Sequence, residues 1–469
     1  MTSIAFSFIG CLILFTVVGV YAATQKQDTT ADYLLAGRKV NTWAIALSAL
    51  STGQSGFLFT GQVGYAYTQG ISGIWLAIGW AIGDYLAWGL VFKRLRQVSE
   101  ASDSETVPAF LGQKQPGDRW IVIIAALITL LFLSVSAAAQ LVAGSKALNS
   151  LFGWDYAWGT LIGAVIVVIY CFSGGIRASI WTDSVQSVVM ILTLLLLLSI
   201  TITAGGGFGN LYASLEQIDS NFVKLFPSNL AWGFVPFFLG WVVAGFGVVG
   251  QPHILVRAMA LDSPDNMGRA RDIKIICGLV TAFSAMLIGL AGRVLLPELG
   301  DSELALLDLS QELLPGILVG LMLAGLFAAT ISTADSQILS CSAALTQDLL
   351  PGLARSYKFA KIGTLLVTSL VLIIALANSQ SVFALITFAW SILASGLGVL
   401  LILRCFNLAV NTPTAIAMML MGIGSAALWK FLFQLSGAVY EVLPGMLASY
   451  IAYLVGAYFS KSIKSKQEI

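Results

Sequence analysis

Apolar stretches long enough to cross a bilayer follow one another along almost the whole chain. A helical span takes about 20 apolar residues. Such windows fall at 4–23, 42–68, 72–92, 119–145, 155–173, 182–204, 229–251, 274–296, 314–346, 362–378, 381–404, 412–433 and 439–459. Within hydrocarbon a backbone must satisfy its own hydrogen bonds, and windows of this length do so as helices. The pattern predicts an all-α polytopic membrane protein with about thirteen transmembrane helices, embedded in lipid throughout. Only 10% of the 469 residues are charged, against about 25% in an ordinary soluble domain. No length remains for a soluble catalytic domain, so an enzyme is not expected. The window Ile4 to Ala22 lacks a basic leader and reads as a retained helix, not a cleaved signal.

Charge placement orients the spans. The formal net charge of +1 suggests no nucleic-acid partner. Yet most of the 24 basic residues gather in alternate loops: Lys26, Arg38 and Lys39; Lys93, Arg94, Arg96, Lys114 and Arg119; Arg177; Arg257, Arg269, Arg271 and Lys274; Arg355, Lys358 and Lys361; Arg404; and Lys461, Lys464 and Lys466. The opposite loops hold Asp155, Glu216, Asp219, Glu298, Asp301, Glu303, Asp308, Glu312 and Glu441. The positive-inside rule then predicts an outside N-terminus and a cytoplasmic C-terminus. Five scattered cysteines without CxxC pairs indicate neither a disulfide framework nor a zinc site.

Two windows make poor helices. The second contains Ser48-Ala49-Leu50-Ser51-Thr52-Gly53-Gln54-Ser55-Gly56, and the seventh contains Gly240, Gly245, Gly247 and Gly250 before Gln251-Pro252-His253. Gly costs about 1 kcal/mol against Ala inside a helix and Pro about 3. Close helix packing is one reason for glycines in a membrane. Interruptions five helices apart also mark an inverted repeat with a binding site at the breaks. That reading pairs helices 2–6 with 7–11, dividing the chain into 1–40, a first repeat at 41–204, a second at 228–404, and 412–469.

The ninth window supplies candidate ligands for a cation. Ser332, Asp335 and Ser336 share one helix face, with Thr333 beside it. Hydroxyls joined to carbonyls freed by an unwound helix make a neutral oxygen cage suited to a weakly held monovalent ion. Ser and Thr in helices also bond back to their own carbonyls, but a nearby intramembrane carboxylate marks a pathway. Asp183 opens the sixth window at a depth compatible with Asp335, so the two suit a shared second cation or proton site; an N-cap role is the alternative for Asp183. Asp84 lies near Lys93 and Arg94 and reads as structural or paired with a basic residue. The lone His253 reads as helix-end packing. No Walker A motif occurs, and Gly205-Gly206-Gly207-Phe208-Gly209 reads as a flexible outer loop.

At Asp32-Tyr33-Leu34-Leu35-Ala36-Gly37-Arg38, Ala46-Leu47-Ser48-Ala49, Ser55-Gly56, Phe172-Ser173-Gly174-Gly175, Trp181-Thr182-Asp183, Gly250-Gln251-Pro252-His253-Ile254 and Ser332-Thr333 through Thr346-Gln347-Asp348-Leu349, the chain resembles the sodium:solute symporter family. These segments run in the family's order over nearly the whole length. The resemblance, which is to the bacterial sodium/proline symporters in particular, implies a LeuT-type fold. It implies a sodium site made by backbone carbonyls of Ser51, Gln54 and Ala329 and hydroxyls of Ser332 and Thr333. A second sodium site, present in some members, maps to Asp183, Ser332, Thr333, Asp335 and Ser336. The solute pocket maps to Gln54, Ser55, Phe57, Ser136, Gln140, Ala244, Val248 and Trp390.

The chain departs from the proline pattern. Proline symporters typically carry an acidic residue at the position of Gly53, Trp at Phe57, Tyr near Ser136, and bulky aromatics at Ala244 and Val248. Smaller walls and the Gln140 amide suit a larger or more polar solute, with proline the nearest label. The expected function is sodium-coupled import of a small organic solute, proline or a related amino acid, by alternating access across a bacterial inner membrane. Another amino acid, a sugar or a carboxylate is the alternative solute. A solute-sensing membrane module, which would announce itself by a fused kinase, is the alternative class. The partners implied are the solute, Na+ and lipid, with no obligate protein partner.

Overall fold

Long apolar helices account for the architecture. The computed structural model describes residues 2–25, 29–112, 118–228, 230–353, 357–377 and 381–467, with backbone only at 170–174, 353, 357 and 461–467. Lys26, Lys114 and Arg355 of the basic loops lie outside the described residues, as do the side chains of Cys171, Phe172, Ser173, Lys461, Lys464 and Lys466.

In chain order the main helices are α1 (Thr2–Ala23), α2 (42–69), α3 (74–101), α4 (Arg119–Phe152), α5 (156–174) and α6 (Gly175–Ala204). They continue with α7 (Phe234–Gly250), α8 (Pro252–Ala260), α9 (Pro264–Leu295), α10 (Ala305–Leu313) and α11 (Gly316–Leu349). The last are α12 (Lys358–Ala377), α13 (Val382–Cys405), α14 (Thr412–Leu432) and α15 (Val442–Ser460). Helix α11 is the axis of the molecule. In its most apolar stretch 83% of residues are buried, against 17% in α1, most of whose apolar surface faces outward. Around α11 pack α1, α2, α4 and α6.

Both interrupted helices occur where the sequence places them. Helix α2 breaks at Ser55, whose φ of +55° is left-handed, a conformation uncommon for a residue with a side chain. The next free amide, Gly56 N–H, donates to Gln140 Oε1 of α4 at 2.9 Å. The second break bends α7 from α8 by 61° at Gln251. Pro252 opens α8, where its missing N–H costs nothing, and Gln251 Nε2 donates to the Trp390 carbonyl at 3.1 Å. A third interruption falls at Gly175, φ +58°, where α5 runs directly into α6. The sequence suggests a connecting loop there.

Among the described residues ten helices are long and apolar enough to span, or eleven when the bent α7–α8 pair counts as one. The expected thirteen differs because it divides the run Thr42–Ala101 at Gly70 and counts the shorter Tyr156–Ile169.

The end carrying the basic loops is tied together by backbone acceptors. Val40 N–H donates to Ala260 O, and Asp262 N–H returns to Val40 O at 2.9 Å. Arg38 donates to the carbonyls of Met259, Ser99 and Ser104 at 2.8–3.1 Å, and Arg96 to Leu261 at 2.7 Å. These bonds join the foot of α3 to the foot of α8.

Candidate solute and ion site

The break in α2 faces the middle of α11. Thr333 Oγ1 lies 3.4 Å from the Ser51 carbonyl, 3.2 Å from that of Thr52 and 3.0 Å from that of Ala329. Ser332 Oγ sits 3.2 Å from the same Ala329 oxygen. All these groups are buried. They form a cluster of neutral oxygens between an unwound helix and a continuous one, the donor set that suits a hard monovalent cation. The Gln54 carbonyl instead accepts from the Leu58 N–H where the helix resumes.

One turn nearer the basic loops lies a charged cluster. Arg257 of α8, 1% exposed, reaches Asp183 Oδ2 at 2.9 Å, Ser48 Oγ at 2.8 Å and Ser179 Oγ at 3.2 Å. It also contacts the Ser336 hydroxyl. Ser48 donates to Asp183 Oδ2 at 2.6 Å, while Ser179 and Ser336 donate to Asp335 Oδ1 at 3.1 and 2.8 Å. Burying a carboxylate costs several kcal/mol unless it is paired and hydrogen-bonded, and Arg257 is the pairing cation. The structure thus gathers Asp183, Asp335 and Ser336 as expected. It adds the guanidinium of Arg257, which the charge pattern assigns to a basic loop.

Beside the neutral oxygens lies a small cavity walled by α2, α3, α4, α8, α11 and α13. Ser55, Phe57, Ser136, Gln140, Thr333 and Trp390 line it, together with Gly53, Trp80, His253, Gln337 and Ile386. Three buried polar atoms of its walls lack a hydrogen-bond partner among the described residues: Gln140 Nε2, Gln337 Oε1 and His253 Nδ1. Gln140 spends its oxygen on the α2 break, and Gln337 spends its nitrogen on Ser136 Oγ at 2.8 Å. Each leaves its other amide atom for a ligand. A buried polar atom without a partner costs about 1–3 kcal/mol, so a molecule supplying both donors and acceptors would gain from entering this cavity.

Aromatic rings close this cavity toward the acidic-loop end. Phe57 stacks on Trp80 and Phe383 at 6.0 and 5.3 Å, Phe383 on Tyr65 at 5.6 Å, and Trp80 leans on Trp390 at 4.8 Å. Beyond them opens a vestibule of about 470 Å3 between Tyr65, Trp241, Phe383, Tyr440 and the Lys430–Glu441 pair. Toward the basic end a narrow cleft of about 20 Å3 reaches Arg257 and Ser336.

Comparison with known proteins places this geometry. The model of the family described as "Sodium:solute symporter family" matches residues 33–422. The chain belongs to the sodium:solute symporter family. It is similar to the sodium/proline symporter of Escherichia coli strain K12, 32% identical over 472 residues covering 96% of this chain and 92% of that protein. The high-affinity proline transporter PutP of Bacillus subtilis strain 168 is 30% identical over 446 residues, covering 92% and 93%. A solved Na+-coupled sialic acid symporter, substrate-bound and outward-open, shares the fold with a TM-score of 0.80 at 20% identity, over 97% of this chain and 98% of that one. MhsT in complex with L-phenylalanine aligns with a TM-score of 0.56 at 15% identity, covering 90% and 98%. This symporter-family chain is therefore a multi-pass membrane protein of LeuT-like fold, with sodium as the coupling ion.

Within that family frame, the expected site residues separate into two groups. Ser51, Ala329, Ser332 and Thr333 converge, as do Ser55, Phe57, Ser136, Gln140 and Trp390. Ala244 and Val248 are buried but do not line the cavity; the Ala244 carbonyl accepts the Trp390 indole N–H at 2.9 Å. The Gln54 side chain points away to α9, donating to Gly278 O and accepting from Thr281 Oγ1. Gln337 and His253 were missed as lining residues. The i+4 spacing of Gln337 from Thr333 was the available signal.

Proposed function

We propose that this chain imports a small amino acid, proline or a relative of it, driven by the inward sodium gradient across a bacterial inner membrane. The observation that carries the reading is the meeting of the Thr333 hydroxyl with the Ser51, Thr52 and Ala329 carbonyls beside a cavity edged by three unpartnered polar atoms. Sodium at this cluster would link α2 to α11. Binding that favours one arrangement of these helices over another couples the ion to the solute, since a ligand shifts an equilibrium only through its differential affinity. The residues assigned to sodium are Ser51, Thr52 in place of the expected Gln54, Ala329, Ser332 and Thr333, with Asp183, Asp335 and Ser336 held for a second ion. The solute is assigned to Ser55, Phe57, Ser136, Gln140, Gln337, His253 and Trp390.

In this reading the chain has thirteen spans, its N-terminus outside and its C-terminus in the cytoplasm, with inverted repeats at 41–204 and 228–404. The wide vestibule is then external and the narrow cleft internal. Uptake of labelled proline into proteoliposomes, with and without an inward sodium gradient, tests the assignment. The gradient is expected to raise uptake at least ten-fold. Ser332→Ala with Thr333→Val is expected to raise the sodium concentration for half-maximal uptake by ten-fold or more. That corresponds to about 1.5–3 kcal/mol for a hydrogen-bond-type contact to a charge. Uptake indifferent to both manipulations refutes the reading.

A further inference from the structure

We propose that the solute of this transporter carries a second polar arm, and that a side chamber beside the central cavity receives it at Asp84. The inference rests on the transport reading above and narrows its solute. The chamber, about 70 Å3, lies between α2, α3 and α9, with Asp84 and Lys274 in its wall. About 10–15 Å3 of this kind of space holds a water, so the chamber accepts several non-hydrogen atoms. Gly53, Phe57 and Trp80 line both the chamber and the central cavity. Gly53 is the thin point of the partition: a Cβ built there would meet only the Ile254 Cδ1 methyl, at 3.7 Å. The missing side chain keeps this shared wall thinner than a larger residue would.

The charges at the far wall define the arm. Asp84 and Lys274 are an ion pair, 4% and 8% exposed, and an intramembrane charge pair marks a functional site by default. Lys274 takes Asp84 Oδ2, whereas Oδ1 is buried without a hydrogen-bond partner among the described residues. The pair fastens α3 to α9 and also stands in the wall of an open chamber, with Oδ1 still available. The two amides nearby are already engaged, Gln54 with Gly278 and Thr281 and Gln62 with the Ala282 carbonyl. Asp84 Oδ1 is therefore the acceptor on offer. The pair is neutral as a whole, so a cationic arm would bring an unbalanced buried charge, which is costly. An anionic arm would face the carboxylate. A neutral donor, an amide or a hydroxyl, satisfies Oδ1 without either penalty. The geometry points to amino acids whose side chain ends in such a group.

The test is sodium-driven uptake of labelled solutes in matched pairs: glutamine against methionine, and 4-hydroxyproline against proline. In at least one pair the donor-bearing member is expected to be favoured about ten-fold in uptake at low concentration. The preference is expected to fall to about one in Asp84→Ala with Lys274→Ala. Ala81→Leu, which fills the chamber from α3, lies outside the central cavity and touches neither charge, is expected to do the same and covers the case in which the double variant fails to fold. No preference in either pair while uptake persists overturns the side-chamber assignment alone, as does a preference that survives both changes. No sodium-driven uptake of any of the four overturns the transport reading, and the assignment falls with it.

Discussion

Arg257 touches oxygens from three helices: Ser48 of α2, Ser179 and Asp183 of α6, and Ser336 of α11. Removing one partner of a buried pair leaves the other uncompensated, at about 3–5 kcal/mol. Arg257→Met and Asp183→Asn are each expected to lower thermal stability of the purified protein sharply. The double variant is expected to lose clearly less than the sum; strictly additive losses would show that the two side chains do not depend on each other. This cluster also shows what sequence reading reaches at the residue scale. Ser332, Asp335 and Ser336 were legible because α11 is continuous there and its spacing fixes one face. In α2, Ser55 and Phe57 line the cavity as expected, but the irregular turn around the left-handed Ser55 hides from spacing which carbonyls and side chains face α11. So the Gln54 side chain turned to α9, and the Thr52 carbonyl, rather than that of Gln54, came to lie beside Thr333. The long reach of Arg257 across helices leaves no periodic trace at all.

Among elements, α3 packs closely on α7, the first half of the bent α7–α8 pair. This packing depends on backbones in direct contact. A Cβ at Gly83 would fall 1.9 Å from the Val242 carbonyl oxygen, and one at Gly245 2.0 Å from that of Trp80. No real Cβ tolerates such a distance, so the helices would have to separate. Overpacking costs about 1–3 kcal/mol even where neighbours adjust. Gly245→Ala is therefore expected to lower both the unfolding temperature and the transport rate. Gly424→Ala, whose Cβ would meet nothing within 4 Å, is expected to leave both near the starting protein. Equal tolerance at the two positions would show that the packing of α3 on α7 is not what these glycines serve. Glycine density in the seventh window therefore had both origins weighed from sequence. Gly245 permits packing, while the bend itself falls at Gln251–Pro252. Hydropathy could place the window but not divide the two roles, because both are invisible until the neighbouring helix is known.

For the whole molecule, the asymmetry between its two ends is the last quantity to be tested. The feet of α3 and α8 are bound by Arg38, Arg96 and the Val40 bridge, whereas the far end opens into wide vestibules beside Lys146, Asp301 and Glu303 and beside Lys430 and Glu441. Positive residues resist transfer across the bilayer, so the proposed orientation puts the tied end in the cytoplasm. Two exposed positions report on it. Gly209 follows α6 on the acidic side, and Asp265 lies in the first turn of α9 on the basic side. In a cysteine-free background, Gly209→Cys is expected to react with a membrane-impermeant maleimide on intact cells. Asp265→Cys is expected to react only after the membrane is opened. The reverse pattern would invert the molecule and make the wide vestibule internal. Labelling of both positions from outside would mean an odd number of spans has been miscounted between residues 209 and 265. Because the proposed reading counts the α7–α8 pair, bent by 61°, as one crossing, that result would turn the break into a re-entrant loop and separate it from its counterpart in α2.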